Sequence, residues 1–347
     1  MSPRAPPRRG VILWLKKAVL RLFSAILLTI VSPVLAIVIF FAPTLFLVYG
    51  ERRHLELFFP RWWPRWLPPG FFVTSYLSGD GRWGVAVGSR WTRDELQQDP
   101  RRAARAARFI GRIAQCAKGA ALAGQLPNFV LRGEEKLRGK RSIPRPFVPG
   151  DLGTLFAMRM AARAGASYLK RAPQNLTIAI PGGAGRIGGR LVELLGQEFH
   201  QVIALDPRYE ETQVQGNINR TSNNADVARA DLILALTPKG RDLEGLLDFV
   251  VQGQLLLDDT HPDIPPTLRR GFQEKGVELV KPSVTRKGFR WLPMPLPGWR
   301  SNAIPGCLLE AFVVASHGRE VIESFEAFSR VAEENGFKPV LFSHPDV

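Results

Sequence analysis

The chain has little cysteine, little histidine and a deficit of acid. Of its 347 residues two are cysteines, Cys116 and Cys307, and five are histidines. Two cysteines cannot build a disulfide scaffold, and they suit a reducing compartment. No Cys/His group has the spacing of metal ligands, so no metal site is expected. Asp and Glu number 31 against 47 Lys and Arg, a formal charge of +16. No zinc-finger, homeodomain or RNA-recognition signature accompanies that charge, so nucleic acid is not the expected partner. An anionic membrane surface, or an acidic protein or cofactor, fits it better.

Charge is missing altogether from Leu22 to Tyr49, a run of 28 residues. It is too long for a signal-peptide core. As one helix it would extend about 42 Å against a hydrocarbon core of about 30 Å. Pro33 and Pro43 interrupt it, and basic residues flank both ends: Arg4, Arg8, Arg9, Lys16 and Lys17 before, Arg52, Arg53, Arg61 and Arg65 after. Positive flanks stay cytoplasmic. The run therefore predicts a re-entrant membrane hairpin bent near Pro33, with one tilted span as the alternative. The protein is expected to be membrane-associated with its catalytic domain cytoplasmic. FFPRWWPRWLPPGFF, residues 58–72, reads as a headgroup-level collar or as a linker whose tryptophans pack on the next domain.

Beyond it, Phe71–Leu77 and Trp83–Val87 alternate around Ser78-Gly79-Asp80-Gly81, a hairpin signal. A helix is expected over Asp99–Ala123, with Arg101, Arg102, Arg105 and Arg108 in its early part, then an exposed proline-rich loop over Lys136–Pro149. Another helix is expected from about Asp151 to Lys170.

The most informative stretch is NLTIAIPGGAGRIGGRLVELLGQEFHQVIALD, Asn175–Asp206. A short apolar strand leads into Gly183-Ala184-Gly185-Arg186-Ile187-Gly188, a GxGxxG; an amphipathic helix and a second strand follow, the latter closed by Asp206. Glycines there permit a tight turn and close approach to a pyrophosphate, and the helix N-terminus offers N–H groups to it. An acid about 20 residues on suits a ribose 2′-hydroxyl. Further short strands end at Thr237-Pro238-Lys239-Gly240 and at Asp258-Asp259-Thr260-His261-Pro262, so both loops should border the cofactor crevice, Thr237 among them. The expected fold is α/β, a Rossmann-like doubly wound parallel sheet with a smaller N-terminal α/β domain. The cofactor is NADPH or NADH: Asp206 favours NAD, while Arg208 can accept a 2′-phosphate.

Three side chains are candidates for chemistry. Cys307 follows Pro305-Gly306 at a helix start, where a thiolate is stabilised; it is either a nucleophile for a thioester or a buried packing residue. Glu310, three residues on, is an acid/base or a carboxylate paired with an arginine. His261, at a strand's carboxyl end, is a proton donor or a loop histidine without a role. Trp291–Trp299, proline-rich and aromatic, is a candidate wall for an apolar substrate.

In the order of several motifs over about residues 70–347, the chain resembles the long-chain acyl-ACP reductases that form fatty aldehydes. FFVTSYLSGDGRWGVAV and the arginine-rich helix resemble that family's N-terminal domain, and FVPGDLGTLFAMRMAARAGASYL its lead into the nucleotide strand. PGGAGRIGGRLVELL looks like its GATGDIG loop. GCLLEAFVVAS and ENGFKPVLF resemble its CxAEA segment and closing helix. The resemblance implies that Cys307 carries the acyl group, that Glu310 is the family's glutamate, and that NADPH is the cofactor. It also implies an acyl carrier protein or acyl-CoA as partner; the lipid membrane expected from the uncharged run has no counterpart in the soluble family members. DDTHPD stands where the family has a glycine-rich loop containing lysine. Without a covalent step, a shikimate/quinate-like dehydrogenase is the alternative and would need a lysine/aspartate pair near the crevice, which the sequence does not show. A non-catalytic membrane-anchored nucleotide-binding protein is the other. The division expected is a basic tail (1–17), membrane segment (18–49), collar (50–69), substrate domain (70–148), dinucleotide domain (149–305) and C-terminal helices (306–347).

Overall fold

The computed structural model describes residues 32–50, 71–77, 83–292, 295 and 299–343. The basic tail, the uncharged run before Ser32, the collar from residue 51 and the turn Ser78–Gly81 lie outside them. The chain forms two compact units that divide between Phe147 and Val148.

The first unit comprises α1 (Ser32–Phe41), β1 (Thr44–Gly50), β2 (Phe71–Leu77), β3 (Trp83–Thr92), α2 (Arg93–Gln98), α3 (Arg101–Ile113), β4 (Gly119–Leu122), α4 (Leu126–Arg138) and the two-residue β5 (Phe147–Val148). Its strands lie in the order β2-β3-β1-β4-β5. β1 is an interior strand, parallel to β3 and to β4. Thr44, Leu45, Phe46, Leu47 and Val48 are all buried, and Leu45 and Leu47 share a core with Val85, Val87, Ala107, Ile110 and Phe129.

This overturns the membrane hairpin. From Ser32 onward the uncharged run is a ten-residue helix and a central strand. A parallel strand covered on both faces is apolar at every position, as a membrane span is. Pro33 lies at the start of the helix rather than at the bend of a hairpin, and Pro43 separates helix from strand. Among the described residues no helix is long and apolar enough to cross a membrane, and the membrane-associated location expected from the sequence is withdrawn.

The helix expected over Asp99–Ala123 stops at Ile113, and its last residues are β4. In α3, Ala103, Ala104, Ala106, Ala107 and Ile110 face inward. Arg108 leaves the basic face to form a two-pronged pair with buried Glu134, at 2.6 and 3.0 Å.

The second unit contains α5 (Asp151–Tyr168), β6 (Thr177–Pro181), α6 (Arg186–Gly196), β7 (Gln201–Leu205), β8 (Gln213–Gln215), β9 (Ile218–Thr221), β10 (Leu232–Ala235), β11 (Leu255–Asp258), α7 (Pro266–Glu274), β12 (Glu278–Thr285), β13 (Arg290–Leu292), α8 (Gly306–His317), α9 (Phe325–Glu334) and β14 (Lys338–Ser343). Its large sheet runs β14-β12-β11-β10-β6-β7-β9-β8. The six strands from β12 to β9 are parallel, and β14 and β8 pair antiparallel at the edges. Alternate residues pack on opposite faces. Ala179, Ile203, Ile233 and Leu256 meet Leu243, Leu246 and Phe272. On the other face α5 lies close to the sheet, because a side chain at Gly165 would come within 2.9 Å of Leu232. From β6 the chain steps outward through β7 to β9, then returns to the other side of β6 as β10. That reversal is where an open α/β sheet holds its ligand, outside the strands' carboxyl ends.

Candidate functional site

At the reversal the chain leaves β6 through Gly182, which has φ +89°. Its N–H donates to Leu205 O at 2.8 Å, and a Cβ there would lie 2.8 Å from Leu236 O. Only glycine fits. The sequence pattern starts one residue later and so misses it. A Cβ on Gly183 would press on Ala204, and one on Gly188 would stand 2.2 Å from Gly182 O. Gly185 is the N-cap of α6 and offers no side chain to it. The N–H groups of Arg186, Ile187 and Gly188 in the first turn have no intrahelical acceptor. A cradle that excludes Cβ atoms under an uncapped helix N-terminus fits a pyrophosphate. The second unit has a dinucleotide-binding fold.

Asp206 closes β7 and is buried. Its carboxylate accepts from Ala184 N–H at 3.2 Å and from the Arg208 backbone N–H at 3.1 Å. It also accepts from the Arg208 guanidinium, twice at 2.8 Å. Arg208 holds it below the usual carboxylate range. Adenosine would therefore meet a buried anion with an exposed guanidinium laid over it. A ribose hydroxyl can share the carboxylate; a 2′-phosphate would have to draw Arg208 away from it. Thr237 borders the same turn, its N–H 3.1 Å from a Cβ built on Gly182.

Arg186 turns away from the loop to Asp151, 2.8 Å away at the first turn of α5. Burial pushes Asp151 up, and Arg186 opposes it. The N-cap of α5 is Gly150, at φ +79°. A Cβ on it would lie 2.7 Å from the Cβ of Cys307. Cys307 is half-buried in the first turn of α8, whose N-cap Pro305 supplies no side-chain cap. Cys307 and the Arg186 side chain of the phosphate loop thus meet the same end of α5.

Glu310 is buried and accepts three backbone N–H bonds at that end, from Gly150 (3.0 Å), Leu152 (2.7 Å) and Gly153 (3.0 Å). Burial raises its pKa against the pull of these donors. Its partner is a helix N-terminus, not an arginine.

His261 lies in the loop after β11, stacked on Trp299 with ring centroids 6.1 Å apart. Burial first, and Lys281 second, push it down to about 4, so it is a neutral imidazole near pH 7. Beside it stands a pair the sequence did not reveal. Lys281 of β12 is buried, and its ammonium donates to Asp263 at 2.6 Å. The two residues are 18 positions apart, on a strand and on a loop, so no local spacing signals them.

No protein-family model matches the chain, and no curated protein does. Among solved structures it is similar to a chorismate mutase/shikimate 5-dehydrogenase fusion protein from Clostridium acetobutylicum, at 11% identity and a TM-score of 0.37, over 84% of this chain and 96% of that one. It is also similar to a D-lactate dehydrogenase from Lactobacillus jensenii, at 12% identity and a TM-score of 0.34, over 68% and 78%. An NAD-dependent formate dehydrogenase from Staphylococcus aureus matches at 15% identity and a TM-score of 0.33, over 65% and 72%.

Proposed function

We propose that the chain is a nicotinamide-dependent oxidoreductase that reduces a long-chain acyl thioester to an aldehyde through Cys307. The observation that carries this reading is the position of Cys307: its Cβ and backbone pack on Gly150 at the end of α5 whose next residue, Asp151, pairs with Arg186 of the phosphate loop. A reduced nicotinamide, held by that loop, would supply hydride. The thiolate of Cys307, favoured by the α8 N-terminus, attacks the acyl carbonyl and expels the carrier thiol. Hydride then reaches the acyl carbon, and collapse of the hemithioacetal returns the thiol and frees the aldehyde. Glu310, committed to capping α5, is a positioning residue in this scheme. Arg105, exposed on α3, suits the phosphates of acyl-CoA or an acidic acyl carrier protein.

The test is incubation with palmitoyl-CoA, with and without NADH or NADPH, followed by intact-protein mass spectrometry and aldehyde detection. The expected result is a palmitoyl adduct on Cys307 that reduced dinucleotide discharges. Full aldehyde release by Cys307→Ser would remove the covalent step.

A second reading, direct hydride transfer to a carbonyl without a covalent intermediate, is favoured by the Lys281–Asp263 pair. It predicts that Cys307→Ser keeps its activity on an aldehyde or ketone.

A further inference from the structure

Hydride addition to a carbonyl needs a proton donor; His261 is neutral, and Lys281 supplies a buried ammonium beside it. β11 and β12 are in register to Leu257 and Val280. Lys281 is the next residue, level with Asp258 at the carboxyl edge of the sheet. Its side chain is 1% exposed. One N–H goes to Asp263, and the ammonium lies 5.1 Å from the centroid of the Trp299 ring, on which His261 also stacks. An ammonium has three donors, so this cage leaves capacity for a ligand oxygen.

The acids around Lys281 have distinct duties. Asp258 shapes the loop, accepting from Thr260 N–H and Oγ (2.9 and 2.6 Å) and from Ile264 N–H (3.2 Å). Asp263 holds the ammonium. Burial lifts Asp259 to about 7. Nothing in folding demands a charge here, since a buried ion pair is commonly replaced by apolar residues at no loss of stability. Asp259 and His261, both shifted by burial, stand in the same loop beside Lys281, and ionisable groups clustered in this way mark a candidate functional site.

Placement ties the lysine to both other parts of the site. Gly240, in the loop after β10, donates its N–H to Pro262 O at 2.9 Å, joining that loop to the Asp263 loop. The residue before Thr237 is the one that Gly182 meets. On the other side β12 bridges antiparallel to Ile304 at Val284, and Ser283 Oγ donates to Ile304 O at 3.0 Å. Lys281 is three residues before that bridge on one chain, and Cys307 three residues after it on the antiparallel one. Both therefore leave the bridge in the same direction.

We propose that Lys281 is the proton donor for hydride transfer in this site, with Asp263 as its positioning residue. As hydride adds to the carbonyl carbon, the C=O π pair moves onto oxygen and takes a proton from the ammonium, leaving Lys281 neutral. Solvent restores the proton by way of the partly exposed Asp263 carboxylate. With an acyl-cysteine the product is a hemithioacetal, whose hydroxyl proton passes to the departing thiolate; with a free carbonyl it is an alcohol. The proposal rests on the oxidoreductase reading and is independent of the covalent step.

The experiment is single-turnover reduction by the full chain at saturating NADH or NADPH, with palmitoyl-CoA and hexadecanal as two separate probes. Lys281→Met should bind reduced dinucleotide as the wild type does, read by nicotinamide fluorescence, and slow reduction about 10²–10⁴-fold. Lys281→Ala should regain activity with added ethylamine, which a purely architectural lysine would not show. If Lys281→Met fails to fold, Lys281→Met combined with Asp263→Leu removes the whole pair and should show the same loss with dinucleotide binding intact. A folded variant of either kind that reduces at the wild-type rate overturns the lysine's role alone. A wild type that reduces neither probe overturns the oxidoreductase reading and this proposal with it.

Discussion

Replacing Glu310 by alanine separates an architectural carboxylate from a catalytic one. Its two oxygens accept from Gly150, Leu152 and Gly153, the donors that open α5. Gly150 cannot carry a capping side chain, because Cys307 occupies the space a Cβ would need. The cap is therefore brought from 160 residues downstream. A hydrogen bond to a charged group contributes about 1.5–3 kcal/mol. Three on one carboxylate are not additive, since a single desolvation cost is set against them. Removing the acceptor from a buried, charged arrangement typically costs about 3–5 kcal/mol. Against a typical total of about 5–15 kcal/mol, that is a large fraction. Urea unfolding of the full chain should show the second unit's transition at clearly lower urea in Glu310→Ala. Glu310→Gln should fall between, since its oxygen can still accept from Leu152 and Gly153 while its amide faces the Gly150 N–H. If Glu310→Ala loses activity but unfolds with the wild type, the capping argument is wrong and the carboxylate belongs to the chemistry.

Two other predictions bear on particular elements. Phe46→Ala in β1, where the side chain is 2% exposed, should destabilise the first unit by about 3–5 kcal/mol, read as faster hydrogen exchange in β3 and β4; unchanged protection there would refute the placement of β1. Asp259, raised from 3.8 to about 7 by burial, binds its proton more tightly in the folded state than in the unfolded chain. Its contribution is complete below about pH 4 and is lost as pH rises through about 7. Asp259→Asn should therefore gain stability relative to the wild type across that window in denaturation series at several pH values, and a gain confined to acid pH would contradict the assignment.

What could be read in advance depended on whether the signal was local. The β6–α6–β7 unit was legible because its glycines, apolar strands and closing aspartate act on one another within about 30 residues. α5 was legible from a helix start expected near Asp151, and the start of α8 from Pro305-Gly306. β1 was not, since apolarity reports burial and not the medium in which a segment is buried. A central parallel strand behind a short apolar helix has the same composition as a broken membrane span. Gly182 escaped because GGAG satisfies the glycine pattern from its second residue, while the turn needs the first. Lys281 escaped for a different reason: a lysine in a strand reads as a position facing water, and only the arrival of Asp263 and Trp299 from elsewhere makes it an interior charge.

The end of α5 explains why these separate signals belong to one site. Asp151 takes Arg186 from the phosphate loop, Gly150 makes room for Cys307, and three N–H groups hold the carboxylate of Glu310. A carboxylate one turn from Cys307 on the same helix would by itself disfavour a thiolate. Delivering that charge into the N-terminus of another helix opposes the penalty, because the positive end of α5 meets the carboxylate directly. The α8 N-terminus, bare of a side-chain cap, then acts on the sulfur with less competition. Glu310 need not touch the substrate to matter for Cys307. A cap that leaves the thiol's surroundings closer to neutral would serve a nucleophile, and removing the carboxylate's charge while the α5 N-terminus remains would favour the thiolate further as well as loosen the helix. Iodoacetamide alkylation of Cys307 measured against pH would show this as a downward shift in Glu310→Gln, a variant that removes the carboxylate's charge and retains most of the cap's shape. An unshifted profile would leave Glu310 an architectural group only.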